Sequence, residues 1–119
     1  MPHLIVEYSA NLSGFPEAQM LAELNQTVTA SPEIPDEIEL KSRCVAHASY
    51  AVGTQTTGRA FVHAQLRLLS GRSPEAKLDF SQRIVDVLRR LTPQPEGVLV
   101  QLSVEIVDMD RPSYIKTRL

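Results

Sequence analysis

The chain opens on MPHLIVEY, residues Met1–Tyr8, and this stretch decides how the rest is arranged. Apolar side chains at Leu4, Val6 and Tyr8 alternate with the positions between them. This pattern predicts a buried β-strand that begins almost at the first residue. Most chain termini fray, but one that belongs to a core strand is held in place. We therefore expect an ordered amino terminus.

Pro2 gives this terminus a candidate chemical role. Initiator methionine is commonly removed when the next residue is small or is proline, and removal exposes the secondary amine of the Pro2 ring. A free α-amino group has a pKa of about 7.7–8.0, and burial or neighbouring positive charge lowers the pKa of an amine. Pro2 is thus a candidate base at neutral pH. With Met1 retained, its nitrogen is a tertiary amide without basicity.

The composition narrows the class of protein. The chain has 119 residues, 43% hydrophobic and 22% charged, which is typical of one soluble globular domain. A net charge of −2 gives no basic field for nucleic acid or membrane, so an anionic ligand must be held by local cations. The single cysteine, Cys44, excludes an internal disulfide and is interpreted as a reduced core residue. The absence of a signal-peptide pattern and of a long apolar run predicts a cytoplasmic protein.

The rest of the first half predicts a helix and a second strand. Pro16 and Glu17 suit the first turn of a helix, and the stretch 31–36, with two prolines, ends it. A second strand is predicted from about Ile38 to Ala48.

The second half predicts the same order of elements. Strict alternation predicts a strand over Ala60–Leu69. Ser73, followed by proline and glutamate, predicts the start of a long helix that the stretch 92–97 ends. A fourth strand is predicted over Val98–Val107, and a polar tail follows.

These two halves have the marks of an internal repeat. The triplet Pro-Glu-Ala at 16–18 recurs 58 residues later, and the apolar phases of the first and third strands match at the same offset. We predict a single domain over residues 1–119, with repeated halves 1–52 and 59–107 and a tail over 108–119. The tail either crosses to another subunit or is a solvated end.

Joining two right-handed βαβ units gives an α/β (α+β) fold, a four-stranded mixed sheet with both helices on one face. The other face is then uncovered. We expect alternating apolar residues on it, and these would need a partner. The sequence therefore predicts an oligomer.

Several stretches resemble the tautomerase superfamily and, within it, 5-carboxymethyl-2-hydroxymuconate isomerase. The resemblance covers essentially the whole chain and is carried by Pro2–Ser9, Lys41–Arg43, Ala60–His63, Gly71–Ser73 and Val104–Ile106. It implies a fold of the tautomerase/MIF type, a homotrimer, no cofactor and an amino-terminal proline as catalytic base. It also implies a role in bacterial catabolism of homoprotocatechuate.

Carried over residue by residue, the resemblance implies that Pro2 is the base and that Arg72 binds a substrate carboxylate. A second family arginine falls on Lys41, which is a departure, and Arg43 lies two positions further on. Side chains two apart in a strand share a face, so either residue could supply this charge. Lysine lacks the planar fork that grips a carboxylate with two hydrogen bonds.

Each candidate also has a purely structural interpretation. Arg72 could hold the turn before the second helix, and Lys41 and Arg43 could form a solvated strand face. His63, in an apolar strand, is interpreted as a satisfied core or interface histidine. No spacing of His, Cys and carboxylates resembles a zinc or iron site, and no glycine-rich phosphate loop is present.

We therefore predict a cofactor-independent isomerase. It would catalyse a 1,3-allylic proton shift on a small unsaturated di- or tricarboxylate, 5-carboxymethyl-2-hydroxymuconate, with no nucleic-acid or membrane partner. One open alternative is a tautomerase or hydratase of another enol or keto acid, of the 2-hydroxymuconate or phenylpyruvate type. Another is a non-enzymatic trimeric binding protein.

Overall fold

The computed structural model describes residues 1–119, which form two βαβ units in tandem. Two short 3-10 turns, Glu37–Glu39 and Arg111–Ser113, lie outside the six main elements. In chain order those elements are β1 (His3–Ser9), α1 (Glu17–Thr29), β2 (Lys41–His47), β3 (Arg59–Leu69), α2 (Pro74–Leu91) and β4 (Leu99–Met109). The predicted order of elements and the α+β class are confirmed.

The four strands make one mixed sheet in the order β2-β1-β3-β4. Each unit contributes a parallel pair, and the units meet where β1 runs antiparallel to β3. Val6 lies opposite Ala64, and these two positions are equivalent at the repeat offset of 58 residues. A pseudo-two-fold axis therefore passes between Val6 and Ala64.

Both helices pack on one face of the sheet, as predicted. The fully buried helix positions are Met20, Leu24 and Val28 in α1 and Phe80, Ile84 and Leu88 in α2. They correspond at an offset of 60 residues, not 58, so the Pro-Glu-Ala triplets are not structural equivalents. Neither helix has the length and apolarity needed to cross a membrane.

Two strand boundaries differ from the prediction by two residues or more. Strand β2 begins at Lys41, not near Ile38, because a 3-10 turn precedes it in which the Ile38 amide donates to Asp36 Oδ1 at 3.3 Å. Such a local hydrogen bond competes with strand pairing. Strand β4 runs to Met109, because β3 extends far enough to pair Leu69 with it.

The uncovered face of the sheet is mostly polar, so our prediction of alternating apolar residues there is wrong. Glu7 Oε1 lies 3.2 Å from His47 Nε2. His63, which we expected to be satisfied, lies 2.6 Å from Glu105 Oε2 and 2.7 Å from Ser103 Oγ. Polar pairs of this kind need less cover than an apolar face would.

Candidate active site

Pro2 lies at the edge of the sheet where β1 and β2 begin and β3 and β4 end. It is buried, and its carbonyl accepts a hydrogen bond from the Lys41 amide at 3.1 Å. The pairing of β1 with β2 therefore fixes the position of the Pro2 ring.

Met1 is half-buried, and its amine and carbonyl both have partners. The amine lies 3.4 Å from Glu39 Oε2, and the carbonyl accepts a long hydrogen bond of 3.4 Å from the Tyr114 hydroxyl. Burial lowers the pKa of the Met1 amine, with Lys41 and Lys116 acting in the same direction, although Glu39 raises it. The net effect at this edge disfavours an ammonium ion.

Cations surround His3, next to the candidate base. In the strand register His3 lies opposite Lys41 on one side and Arg67 on the other, and Arg43 Nη1 is 3.5 Å from its Nδ1. Burial, followed by the charges of Arg43 and Lys41, lowers the pKa of His3. These effects favour the neutral form of His3.

Two of these cations, Arg43 and Arg67, are not paired with a carboxylate. Their side-chain contacts are with His3 Nδ1 at 3.5 Å and with Gln65 Oε1 at 3.2 Å. Together with His3, Tyr114 and two acidic residues they line an open depression of about 440 Å³. The acidic residues have partners of their own, Lys77 for Asp108 and the Ser113 hydroxyl for Asp110. Unpaired guanidinium groups at such a depression can hold a carboxylate with two hydrogen bonds.

Lys41 is more engaged than Arg43. Its Nζ donates to the Glu39 carbonyl at 2.7 Å and lies 3.7 Å from the Glu39 carboxylate. The structure therefore brings Lys41 and Arg43 together beside Pro2, but leaves only the guanidinium free of an acidic partner.

The carboxy-terminal tail folds back on this same edge of its own chain. Lys116 and Arg118 both bind the Glu39 carboxylate, whose side chain is only 15% exposed. The hydrogen bond from Lys116, supported by Arg118 and the Met1 amine, lowers the pKa of Glu39 to about 2. The tail is thereby fixed beside the amino terminus.

Arg72 is held differently from the other candidates. Its Nη1 donates to the Leu69 carbonyl at 2.8 Å and its Nη2 to the Glu33 carbonyl at 3.2 Å. Its Nε lies 3.5 Å from Glu33 Oε1 without the alignment of a hydrogen bond. The structure does not bring Arg72 into contact with the cluster around His3.

Other parts of the molecule offer less chemistry. A cavity of about 360 Å³ beside the end of α2 and the start of β4 has Arg89 as its one charged lining residue. Burial, followed by the charge of Glu17, raises the pKa of the Cys44 thiol to about 11, so this thiol is not a nucleophile at neutral pH. No group of His, Cys, Asp and Glu is arranged to hold a metal ion.

The sequence interpretation missed Arg67, Tyr114 and Glu39. Arg67 has the strand phase of His63 and Gln65, but only the β1–β3 register places it opposite His3. Tyr114 and Glu39 reach the site through the folded-back tail and the turn before β2. No local pattern in the sequence marks these long-range contacts.

Comparisons with known proteins agree on the fold and the family. A family model described as CHMI, 5-carboxymethyl-2-hydroxymuconate isomerase, matches residues 2–118. A sequence search of curated proteins found no match.

Solved structures give the same picture. A 5-carboxymethyl-2-hydroxymuconate isomerase from Deinococcus radiodurans R1 superposes with a TM-score of 0.86 at 26% identity, covering 99% of this chain and 90% of that one. A 5-carboxymethyl-2-hydroxymuconate delta-isomerase gives 0.82 at 18% identity, over 100% and 88%. A fused 4-OT wild-type symmetric trimer gives 0.65 at 14% identity, over 89% and 85%.

Proposed function

The chain belongs to the 5-carboxymethyl-2-hydroxymuconate isomerase family, and on that basis we propose that this isomerase catalyses a 1,3-allylic proton shift on 5-carboxymethyl-2-hydroxymuconate in homoprotocatechuate catabolism. Pro2, after removal of Met1, is the general base and acid. The observation that carries the proposal is the burial of Pro2 at the edge where Arg43 and Arg67 lie without acidic partners.

The reaction needs one group that both removes and returns a proton. The Pro2 nitrogen takes a proton from an allylic carbon, so a C–H bond breaks and an N–H bond forms. The electron pair spreads into a dienolate, and the same N–H then delivers the proton to another carbon of the conjugated system. Positioned proton transfer contributes roughly 10²–10⁴ in rate.

The cations have two tasks in this scheme, to orient the carboxylates and to stabilise the dienolate charge. Arg43 is the better candidate for the second cationic role, because the Lys41 ammonium already has Glu39 as partner. Arg67 adds a third positive charge, on the same face of the sheet as Arg43. Arg72 lies apart from this cluster in its own chain, and we propose it only as a further carboxylate ligand, in place of the Glu33 carboxylate 3.5 Å from its Nε.

We also propose that the protein assembles as a homotrimer. The observation that supports this is the fold shared with structures described as trimers, one symmetric and one asymmetric. Size-exclusion chromatography with light scattering tests it, and a monomer at micromolar concentration would contradict it.

A tautomerase or hydratase of a smaller enol acid is the second candidate function. Lys41 in place of the family arginine, and the attachment of Arg72 to Glu33, both favour a substrate with fewer carboxylates. Turnover of a dicarboxylate enol faster than that of the tricarboxylate would select this alternative.

The decisive experiment is an ultraviolet assay of proton-shift isomerisation, on protein whose mass confirms that Met1 is gone. Pro2→Ala still permits removal of Met1 but replaces the rigid secondary amine with a primary one. We expect turnover by the wild type and a fall of roughly 10²-fold or more in the variant. Pro95→Ala, in the loop after α2, is the matched control and should keep full activity. Unchanged isomerisation in Pro2→Ala would reject the proposal.

A further inference from the structure

A tyrosine hydroxyl of the folded-back tail lies next to the candidate base. Tyr114 follows the 3-10 turn Arg111–Ser113, in which its amide donates to the Asp110 carbonyl at 3.1 Å. The turn is braced by a 2.6 Å hydrogen bond from Ser113 Oγ to Asp110 Oδ2. The Tyr114 hydroxyl is thereby held 3.2 Å from His3 Nε2 and 3.4 Å from the Met1 carbonyl oxygen.

Met1 marks the space in which a substrate would meet Pro2. The carbonyl carbon of Met1 is bonded to the Pro2 nitrogen, so its position is that of an atom approaching this nitrogen once Met1 has been removed. The Met1 carbonyl oxygen then marks the position of a substrate oxygen near the carbon that loses its proton. The Tyr114 hydroxyl already donates a hydrogen bond to this oxygen.

The neighbouring hydrogen bonds fix the direction in which the hydroxyl donates. A guanidinium group can only donate, so the contact of 3.5 Å between Arg43 Nη1 and His3 Nδ1 makes Nδ1 the acceptor. A neutral His3 then has its hydrogen on Nε2 and donates it to the Tyr114 oxygen. The hydrogen of Tyr114 is left to point at the Met1 carbonyl, and such chains of hydrogen bonds strengthen one another.

We propose that Tyr114 is a further catalytic residue: its hydroxyl donates a hydrogen bond to the substrate oxygen that becomes negative when Pro2 removes the allylic proton. His3 and Arg43 are positioning residues that orient it. In this step the electron pair of the broken C–H bond moves through the conjugated system to that oxygen. Tyr114 keeps its proton throughout, and Pro2 returns the transferred one to carbon. This inference rests on the proposed function.

Tyr114→Phe tests the role, because it removes the hydroxyl and keeps the ring. Loss of one donor of this kind lowers kcat by about 10²–10³, and we expect a fall of about 10²-fold with KM changed only a few-fold. Tyr50→Phe is the matched control. Tyr50 lies beyond the opposite end of β2 with its ring against Phe61, and the variant should keep the wild-type kcat. Equal thermal unfolding midpoints would show that both variants fold.

A double-mutant cycle tests the positioning role of His3. His3→Ala should lower kcat in the wild-type background but have little further effect in Tyr114→Phe, because it acts through the hydroxyl. His3→Gln, which can still accept and donate, should recover part of the loss. Equal effects of His3→Ala in both backgrounds would refute this part of the proposal.

The outcomes separate the two proposals. Loss of turnover in Pro2→Ala with full turnover in Tyr114→Phe would overturn the role of Tyr114 alone. No turnover by correctly trimmed wild-type protein would overturn the proposed function, and the role of Tyr114 with it.

Discussion

The pseudo-two-fold axis relates the two edges of the sheet at which the strands begin and end, and only one of these two edges carries a candidate site. At one edge stand Pro2 and the cations around His3. At the other, the repeat places Ala60 where Pro2 stands and Phe61 where His3 stands. The fold thus supplies the same geometry twice, and the side chains decide which copy can do chemistry.

The charges differ in the same way between the two edges. Phe61 lies opposite Gln101, where His3 lies opposite Lys41. The counterpart of Arg67 is Ser9, whose hydroxyl accepts a 3.0 Å hydrogen bond from the Phe61 amide. The Ser9 hydroxyl at the second edge serves strand pairing, whereas Arg43 and Arg67 at the first edge have no acidic partner.

Blocking the removal of Met1 should have the largest effect, because it makes the Pro2 edge as inert as the Ala60 edge. A lysine inserted between Met1 and Pro2 prevents trimming and turns the Pro2 nitrogen into an amide. We expect turnover to fall by at least the roughly 10²–10⁴ that positioned proton transfer supplies. Intact mass and the isomerisation assay measure this together. Substantial turnover by the untrimmed protein would show that Pro2 is not the base.

The two halves should contribute alike to stability, although only one contributes a site. Leu24 and Ile84 are equivalent positions and both are completely buried. Leu24→Ala and Ile84→Ala should each lower the free energy of unfolding by about 2–5 kcal/mol. Urea unfolding followed by circular dichroism provides the measurement. A cost below about 1 kcal/mol at either position would mean that its half is not part of one cooperative core.

Removing one charge at the site should have a smaller effect on activity. Arg67→Gln should lower kcat/KM by about 10- to 100-fold, because a hydrogen bond to a charged group contributes about 1.5–3 kcal/mol. Arg59→Gln is the matched change at the other edge, where Arg59 Nη1 donates to the Val52 carbonyl at 3.0 Å. It should leave kcat/KM unchanged. Equal losses in the two variants would contradict the asymmetry of the edges.

The smallest expected effect concerns pH. The pKa of Glu39 is lowered to about 2 in the folded protein from an ordinary value of 4.5. As the pH falls, the Glu39 carboxylate is therefore protonated in the unfolded chain before it is protonated in the folded protein. Glu39 therefore contributes stability above about pH 4.5, and this contribution is lost as the pH falls toward 2. The difference in unfolding free energy between wild type and Glu39→Gln should shrink from pH 6 to pH 2.5. A constant difference would show that Lys116 and Arg118 do not act through this carboxylate.

The parts of the fold that local signals encode could be predicted from the sequence. The alternation of apolar and polar residues is sufficient to predict the strands β1 and β3. The helix cap at Ser73, whose hydroxyl accepts a hydrogen bond from the Ala76 amide at 3.1 Å, predicts the start of α2. The start of β2 was missed, because the turn at Asp36 competes with strand pairing over the preceding residues.

The candidate site was only partly predictable, because most of it depends on contacts between distant residues. Pro2 could be found from its position in the chain and Arg43 from strand phase. The opposition of Arg67 and His3 follows from antiparallel pairing across 64 residues, and the contact of Tyr114 with His3 joins residues 111 positions apart. Sequence patterns at single elements do not contain that information.

The position of β1 between β2 and β3 also limits how early in synthesis this strand can be enclosed. The β3 partners of β1 run from Val62 to Arg67, so β1 cannot be paired on both sides until Arg67 has been synthesised. At about 5–20 residues per second, this leaves roughly 3–13 seconds in which Met1 is still on an open chain. The proposed removal of Met1 would therefore compete with folding. In a chain that folds before Met1 is removed, this residue is half-buried and its amine lies 3.4 Å from Glu39 Oε2.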